Sequence, residues 1–305
     1  MNKEYIFFND QFVEAENAMI SVKTNSLHYG TAIFEGIRAY WNEEKKDLFL
    51  LFGKEHYTRL VRNARSMFMN IEYTPEELVD ITLELLRKNN IKEDVYIRPL
   101  VYFSDLALTP KLIEYKATIT IYTYRFGKYL DTSKGIRVQT SSWVRNDDNS
   151  IPSRWKVAGG YVNSALAKTE AILSGFDEAV MLNSAGYVSE GSGENIFIVR
   201  SGKIITPEYS DHILEGITRN AVKQLADDLQ IVFEERKIAR SELYAADEAF
   251  MTGTAAEVTP VIEIDHRKVG NGEIGNTTKL IQEKYFNAVR GNDNRYSNWL
   301  KSTYN

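Results

Sequence analysis

Apolar and polar positions follow two periods along this chain, one typical of strands and the other typical of helices. Residues 4–8 and 11–14 flank an Asn9-Asp10 turn and predict a β-hairpin. From residue 74, the letters TPEE precede apolar positions at helical spacing, which predicts a capped helix that ends near residue 90. The N-terminal part therefore already mixes both element types.

The same periods recur over the rest of the chain. Strands are predicted at 48–52, 94–103, 116–125, 136–142, 178–182, 187–190, 195–199, 203–205, 230–236 and 248–252. Helices are predicted at 54–69, 160–174, 217–229 and 278–290, with one helical turn at 241–244. Residues 25–40, which glycines interrupt, are predicted as a loop. The mixture predicts an α+β protein.

A polar stretch with two glycines at 126–135 divides this pattern into two halves. We interpret it as an interdomain loop between a small N-terminal domain at 1–125 and a larger C-terminal domain at 136–305. A length of 305 residues is compatible with two such domains.

Composition narrows the classes of function. The chain is 43% hydrophobic and 26% charged, as expected of a globular enzyme. Its net charge is −5 and its basic residues form no long block, so neither nucleic acid nor a membrane is an expected partner. The absence of cysteine excludes disulfides and thiolate metal sites, and we predict no metal. Because no signal peptide is recognisable, we expect a cytoplasmic protein.

Lys156 is the first candidate for chemistry, because its neighbours are apolar. Trp155, Val157 and Ala158 flank it and would favour an uncharged amine, which can attack an aldehyde and later move a proton. The two glycines that follow would let the backbone pass close to a flat ligand. The alternative is a surface lysine at the end of a loop, where lysines are usually found.

Glu190 is the second candidate. It ends the predicted strand 187–190 and precedes two spaced glycines, Gly191 and Gly193. A carboxylate held rigidly at this position could keep a ring nitrogen protonated. The alternative is a glycine-rich turn that carries a solvated glutamate.

The start of the predicted helix 217–229 is a candidate anion site. The free N–H groups that follow Gly216, at Ile217 and Thr218, favour a phosphate together with the helix dipole. The hydroxyl of Thr218 would add a donor. The alternative is an ordinary helix start, and most helix starts bind nothing.

A second set of phosphate donors follows the predicted strand 248–252. A turn at 252–256, which contains Gly253 and Thr254, could present successive N–H groups to an anion. Arg59, on the predicted helix 54–69, could supply the countercharge. Considered alone, Arg59 would be interpreted as a surface arginine.

Tyr96 and Arg98 suit a substrate carboxylate. Alternation along the predicted strand places both side chains on one face, where a hydroxyl and a guanidinium can act together. The alternative is the solvent face of a strand. Tyr29, Phe34 and Arg38 in the predicted loop are candidates for a pocket wall.

One cofactor needs all of these groups, because it combines an aldehyde, a ring nitrogen, a ring hydroxyl and a phosphate. That cofactor is pyridoxal 5′-phosphate. The chain closely resembles the branched-chain amino acid aminotransferases, a family of fold-type IV pyridoxal phosphate enzymes, from about Tyr5 to Tyr285. The segments that carry the resemblance are LHYGTAIFEGIRAY (27–40), YIRPL (96–100), IPSRWKVAGG (151–160), YVSEGSGENIF (187–197), LEGITR (214–219) and FMTGTAAEVTP (250–260).

The resemblance implies a role for each matching residue. Lys156 is similar to the Schiff-base lysine that also moves the proton, Glu190 to the carboxylate on the ring nitrogen, and Tyr161 to the tyrosine on the ring hydroxyl. The other implied cofactor residues are Arg59, Gly216, Ile217, Thr218, Gly253 and Thr254. The implied substrate residues are Tyr29, Phe34, Tyr96, Arg98, Tyr129, Thr254 and Ala255. Of these, Arg98 and Tyr29 resemble the pair that receives the side-chain carboxylate of glutamate.

The family also implies an activity and an architecture. The implied reaction moves the amino group of leucine, isoleucine or valine to 2-oxoglutarate, giving branched 2-oxo acids and glutamate. A small N-terminal α/β domain and a larger C-terminal domain would hold the cofactor between them, in a homodimer or a higher oligomer. This sequence departs from the family in the bulky residues around Lys156, at 154–158, and in the segment 104–112. Both leave the range of accepted side chains open.

Three rival functions fit the same residues less well. A D-amino acid or (R)-amine aminotransferase and an aminodeoxychorismate lyase would share the fold. The pairing of Tyr96 with Arg98 and the FEGIRAY string favour a branched-chain aminotransferase over a D-amino acid or (R)-amine aminotransferase. A non-catalytic binding protein would not need an intact Lys156 and Glu190.

Overall fold

The computed structural model describes residues 3–125 and 130–305, which form two compact units. Tyr129, one of the predicted substrate residues, lies outside the described residues. Unit 1 contains 3–125, and unit 2 contains 130–154 and Gly160–Phe286.

Two later segments also belong to unit 1, Trp155–Gly159 and Asn287–Asn305, although the sequence suggested the C-terminal domain for both. Backbone pairing is the reason. Val157 forms a β-bridge with Ile33, and residues 300–302 pair with residues 49–51 as an edge strand. Long-range pairing of this kind leaves no periodic signal in a sequence. The domain boundaries at 125 and 136 stay a prediction.

Unit 1 is built on an eight-stranded sheet with three helices. Numbered along the whole chain, its strands are β1 (Tyr5–Phe8), β2 (Gln11–Glu14), β3 (Ile33–Phe34), β4 (Ile37–Asn42), β5 (Asp47–Leu51), β6 (Val95–Phe103), β7 (Ala117–Tyr124) and, last in the chain, β17 (Leu300–Ser302). Its helices are α1 (Asn25–Tyr29), α2 (Gly53–Ser66) and α3 (Pro75–Lys88). The sheet order is β17-β5-β4-β6-β7-β1-β2, and β3 pairs with β6. Every strand pairing in this sheet is antiparallel.

The core of unit 1 lies between this sheet and the helices α2 and α3. The predicted capping box at the start of α3 is confirmed. The N–H of Glu77 donates to the Thr74 hydroxyl at 3.2 Å, and the Thr74 N–H donates to the Glu77 carboxylate at 2.8 Å. Leu78, Leu85 and Leu86 on its apolar stripe are buried. This packing fixes α2, which carries Arg59.

Unit 2 is built on a nine-stranded mixed sheet. Its strands are β8 (Ile136–Thr140), β9 (Glu178–Leu182), β10 (Val188–Gly191), β11 (Asn195–Arg200), β12 (Lys203–Thr206), β13 (Phe233–Glu235), β14 (Glu248–Gly253), β15 (Glu257–Ile264) and β16 (Arg267–Lys268). The helices that begin in it are α4 (Tyr161–Leu173), α5 (Ile217–Asp228), α6 (Arg240–Leu243) and α7 (Asn276–Val289). The sheet order is β10-β9-β8-β15-β14-β11-β12-β13, and β16 pairs with β15.

Most predicted elements are present, and the mixed α+β class is confirmed. The loop predicted at 25–40 is wrong, because α1, β3 and β4 lie there. Five of the six β4 residues are buried, so the strand lacks the alternation that marks a half-exposed one. Strand β15 was not predicted, and β13 is shorter than predicted at 230–236. In the part of the chain that the structure describes, no helix is long and apolar enough to cross a membrane.

Candidate active site

Lys156 lies on a short segment that pairs with the chain just before and within β3. The N–H of Ala158 donates to the Ala32 carbonyl at 2.7 Å, and the N–H of Gly159 donates to the Gly30 carbonyl at 2.9 Å. Lys156 itself has a φ of 56°, in the left-handed region that lysine rarely adopts. Such strain persists only where the surroundings fix the backbone, and here the pairing of this segment with residues 30–34 does so.

The first of the two glycines after Lys156 serves backbone packing. A Cβ on Gly159 would lie 3.1 Å from the Gly30 carbonyl oxygen, and a Cβ on Gly30 would lie 2.8 Å from the Gly159 Cα. The prediction that both glycines make room for a flat ligand stays a prediction, and Gly159 has a packing role in addition. Its missing side chain lets two backbone segments approach each other closely.

The Phe34 ring joins Lys156 to the predicted substrate residues. The Lys156 Nζ lies 4.8 Å from the centre of this ring, and the Arg98 guanidinium carbon lies 4.4 Å from it. Arg98 also donates from Nη2 to the Tyr96 hydroxyl at 3.1 Å, as expected for two side chains on the same face of β6. Unit 1 thus brings together four residues from three segments that lie far apart in the sequence.

Two further features shape this cluster. A Cβ on Gly36 would lie 1.8 Å from the Tyr96 hydroxyl oxygen, so this hydroxyl occupies the space above the glycine. Among the described residues, the Nε of Arg98 is buried and has no hydrogen-bond partner. A buried unpaired donor is costly, so this nitrogen is suited to an incoming acceptor.

The other substrate residues predicted in the N-terminal half lie nearby in the chain. Tyr29 ends α1 and is partly exposed, directly before the left-handed Gly30. Arg38 lies on β4, is buried, and packs its guanidinium over the Tyr40 ring at 5.4 Å. Arg38 therefore belongs to the interior of the sheet rather than to a loop.

Arg59 is buried, unlike a surface arginine. It lies on α2, and its Nε donates to the Glu35 carboxylate at 2.6 Å. Burial alone would raise the pKa of Glu35, but Arg59 and His56 together hold that pKa below its usual range. Arg59 therefore faces an ionised partner within unit 1.

Glu190 is held by several donors in unit 2. It lies in β10 where the register with β9 shifts, as in a β-bulge, which redirects a side chain. Its Oε1 pairs with Arg145 Nη2 at 2.7 Å. Its Oε2 accepts the Asn195 amide and the Leu214 N–H, both at 3.0 Å. Glu190 is only 3% exposed, and these donors stabilise a charge on its carboxylate.

Arg145 is a functional candidate that sequence reasoning missed. It lies in a loop, is buried, and also donates from Nη1 to the Ser164 hydroxyl at 3.2 Å. The only signal was an arginine between Trp143-Val144 and the polar loop 146–153, and this signal does not distinguish a buried guanidinium from a solvated one.

Asn195 links Glu190 to the start of α5. Its amide also donates to the Leu214 carbonyl at 3.0 Å, and its Oδ1 lies 1.9 Å from where a Cβ on Gly216 would be. A side chain at this position would displace the Asn195 amide. Gly216 is the N-cap residue of α5, which begins at Ile217, and the Thr218 side chain is buried directly after it. The predicted anion site is therefore connected to the predicted ring-nitrogen site within unit 2.

The second predicted phosphate segment is the tight turn between β14 and β15. Gly253 pairs with Glu257, and Thr254 and Ala255 lie in the turn between them. Among the described residues, the buried Thr252 hydroxyl just before the turn has no hydrogen-bond partner. Tyr161 is the first residue of α4 and is partly buried.

Comparison with known proteins identifies the family. The family model described as "Amino-transferase class IV" matches residues 32–264. A curated relative from Aquifex aeolicus, named probable branched-chain-amino-acid aminotransferase, is 68% identical over 99% of this chain and 97% of its own length. These matches confirm the resemblance found in the sequence.

Two solved structures support the same assignment. A branched-chain aminotransferase from Thermoproteus uzoniensis, solved with norvaline, is 44% identical with a TM-score of 0.95 and covers 99% of this chain and 100% of its own. A branched-chain amino acid aminotransferase from Thermobaculum terrenum, solved in its PLP-form (holo-form), is 36% identical with a TM-score of 0.94. The match covers 99% of both chains.

Proposed function

Because this chain belongs to the class IV aminotransferase family, we propose that Lys156 is its catalytic residue and that Glu190 and Arg59 bind its cofactor. Its activity is branched-chain amino acid transamination, and its cofactor is pyridoxal 5′-phosphate, as the sequence predicted. The relatives described above are named for branched-chain substrates, and none for D-amino acids, (R)-amines or aminodeoxychorismate.

One observation carries the residue assignment. The Lys156 amine and the Arg98 guanidinium lie against the same Phe34 ring, at 4.8 and 4.4 Å. A reactive amine, an apolar surface and a cation are thus available to one small molecule. We assign the ring to aliphatic side chains and the guanidinium to the side-chain carboxylate of glutamate, so that one site accepts leucine and 2-oxoglutarate in turn.

The donor set fits the chemistry of the cofactor. Glu190 is a buried carboxylate, as a protonated ring nitrogen requires, and Arg59 is a buried cation, as a phosphate requires. The N-terminus of α5 and the unpartnered Thr252 hydroxyl offer further donors of the kind that phosphates bind. The remaining proposed cofactor residues are Tyr161, Gly216, Ile217, Thr218, Gly253 and Thr254.

When bound, the cofactor supplies an electron-withdrawing ring that makes the Cα–H of the substrate acidic. Lys156 would take the proton from the substrate Cα and move it during the reaction, which requires its amine to be close and mobile. Glu190 would keep the ring nitrogen protonated. Tyr96, with Thr254 and Ala255, binds the α-carboxylate and so fixes which substrate bond faces Lys156.

The remaining proposals concern pocket walls, assembly and location. We assign Tyr29, with Arg98, to binding the side-chain carboxylate of glutamate, and Tyr129, with Phe34, to binding aliphatic side chains. Amino acids and 2-oxo acids are the small-molecule partners. A homodimer or a larger homo-oligomer, and a cytoplasmic location without nucleic-acid or membrane partners, follow from the resemblance and the composition.

An absorbance titration tests the function directly. We expect L-leucine to remove the yellow colour of the holoenzyme and 2-oxoglutarate to restore it, because the two halves of the reaction are separable. D-Alanine and (R)-1-phenylethylamine serve as controls and should leave the colour unchanged. A full response to either control and none to L-leucine would contradict the substrate assignment.

A second measurement tests the catalytic lysine. Borohydride reduction of the holoenzyme, followed by peptide mapping, should attach the cofactor to Lys156. An adduct on another lysine, or on none, would overturn the site.

A further inference from the structure

Glu35 is a motif residue that the proposed function does not use. It belongs to the FEGIRAY string and follows Phe34 at the end of β3. Its side chain is completely buried, yet its pKa lies below the usual range, so it carries a charge in the interior of unit 1. A buried charge is costly unless it is paired and hydrogen-bonded, so the partners of Glu35 determine what it does in the interior.

Arg59 meets this carboxylate at two points. Its Nε donates to Oε1 at 2.6 Å, and its Nη2 donates to Oε2 at 2.9 Å. A two-point contact between a planar guanidinium and a planar carboxylate fixes both the position and the rotation of the guanidinium. A single-point ion pair would leave that rotation open.

His56 supports the carboxylate from the same helix. It precedes Arg59 by three positions on α2, so both side chains point from one face of the helix. Its Nδ1 lies 2.8 Å from Glu35 Oε2. Burial lowers the pKa of His56 despite the neighbouring carboxylate, so the ring is neutral near pH 7 and donates through Nδ1–H.

The backbone of Glu35 is tied to the substrate strand. Its N–H donates to the Pro99 carbonyl at 3.0 Å, next to Arg98 on β6, and the Gly36 N–H donates to Oε2 at 3.3 Å. The carboxylate is therefore fixed by the strand pair that also carries Phe34 and Arg98. Anything that Glu35 orients is oriented relative to these two residues.

We propose that Glu35 and His56 are positioning residues that hold the Arg59 guanidinium in one orientation toward the phosphate of the cofactor. This inference rests on the proposed role of Arg59. A phosphate meets a cation whose rotation was already lost on folding, so little further order is required at binding. The effect concerns the phosphate only, and a cofactor that lacks the phosphate gains nothing from it.

The proposal is tested by measuring how the full chain, after removal of its cofactor, binds two ligands. Pyridoxal 5′-phosphate and pyridoxal differ only in the phosphate, so the ratio of their dissociation constants isolates the phosphate contribution. His56→Leu removes the Nδ1 donor with little change in size, whereas His56→Asn places an amide N–H near the position of Nδ1. Arg62→Gln, at an exposed arginine on the same helix, is the control.

The expected results differ between these variants. His56→Leu should weaken pyridoxal 5′-phosphate binding about 5- to 10-fold, the usual effect of one lost hydrogen bond, and leave pyridoxal binding within about 2-fold. His56→Asn and Arg62→Gln should keep the native ratio. Glu35→Gln should weaken phosphate-dependent binding by about 10- to 100-fold, because it removes a charged partner. Equal weakening of both ligands, or an unchanged ratio, would overturn the proposal.

Arg59→Gln separates this inference from the proposed function. If Arg59→Gln leaves the ratio of the two dissociation constants at its native value, then Arg59 is not a phosphate ligand and the proposed role fails first. If Arg59→Gln abolishes the preference for the phosphate while His56→Leu leaves it intact, only the positioning role fails. Should Glu35→Gln not fold, the two His56 variants still decide the question.

Discussion

The two units each contain a buried carboxylate–guanidinium pair, and the proposed roles within the two pairs are reversed. In unit 1 the arginine is the proposed cofactor ligand, and the Glu35 carboxylate lies 2.6 Å from the Arg59 Nε. In unit 2 the carboxylate is the proposed ligand, and Arg145 supports Glu190 at 2.7 Å. In each unit, the buried charge of the proposed ligand is therefore paired with an opposite charge from the same unit.

This difference matches the two ends of the cofactor. A phosphate needs a cation, and a ring nitrogen needs an anion, yet an isolated buried charge of either sign would destabilise the unit that carries it. A buried counter-charge offsets part of that penalty, and a hydrogen-bonded pair also fixes the orientation of both groups. A single principle thus explains both Glu35, which the sequence motif contained without a role, and Arg145, which no motif marked.

The largest effect should come from Lys156, which belongs to neither of these two pairs and lies against Phe34. Lys156→Ala should lower kcat by at least about 10³-fold, because proton transfer at Cα loses its acid and base. Steady-state transamination of L-leucine measures this, with the surface variant Lys203→Ala as the control. If Lys156→Ala retained turnover, Lys156 would not be the catalytic residue, and its role would not differ from that of the two carboxylate–guanidinium pairs.

Breaking the unit 2 pair should reduce stability strongly. Arg145→Met should lower the free energy of unfolding by about 3–5 kcal/mol, because Glu190 remains buried without its cation. Urea unfolding gives this value. Adding Glu190→Gln to Arg145→Met should recover part of the loss, and strictly additive losses would show that the two residues do not act as a pair.

Arg98 differs from Arg59 within unit 1. Its buried Nε has no hydrogen-bond partner among the described residues, which suits Arg98 to binding a substrate rather than to supporting another residue. Arg98→Ala should lower kcat/KM for 2-oxoglutarate by about 10- to 100-fold, the usual value of a charged hydrogen bond, and affect leucine much less. The two half-reactions can be measured separately. Equal losses for both substrates would contradict a role in binding the second carboxylate.

Gly216 tests whether unit 2 positions Glu190 through Asn195. Gly216→Ala puts a Cβ 1.9 Å from the Asn195 amide oxygen and should cost about 1–3 kcal/mol of stability, because the amide must move. Gly193→Ala is a matched control, since no heavy atom lies within 4 Å of its added Cβ. Thermal unfolding of both variants would show a difference, and equal shifts would count against the link.

Glu194 provides the smallest test, through pH. Burial, and then the charge of Glu178, raise the pKa of Glu194 to about 8. A raised carboxylate pKa favours the folded state while the group is protonated, so this contribution is lost as pH rises from about 4.5 to about 8. Between pH 6 and pH 7, Glu194→Gln should therefore gain at most about 1.4 kcal/mol of stability relative to the native chain. A constant difference between the two proteins at both pH values, in urea unfolding, would refute this.

Local patterns determined most elements and the chemical identity of the site. The capping box predicted α3, alternation placed Tyr96 and Arg98 on one face of β6, and motifs marked Lys156 and Glu190, because each signal lies within a few residues. The strands β4 and β15 were not predicted, because a strand buried on both faces shows no alternation of apolar and polar residues.

Only the tertiary structure decided what supports these residues. The pairing of 155–159 with 30–34, the contact between Gly216 and Asn195, and the two carboxylate–guanidinium pairs join segments that lie far apart in the chain. A buried guanidinium and a solvated one are the same letter in a sequence. Burial and long-range pairing assign the supporting roles, because they arise when separate segments pack together.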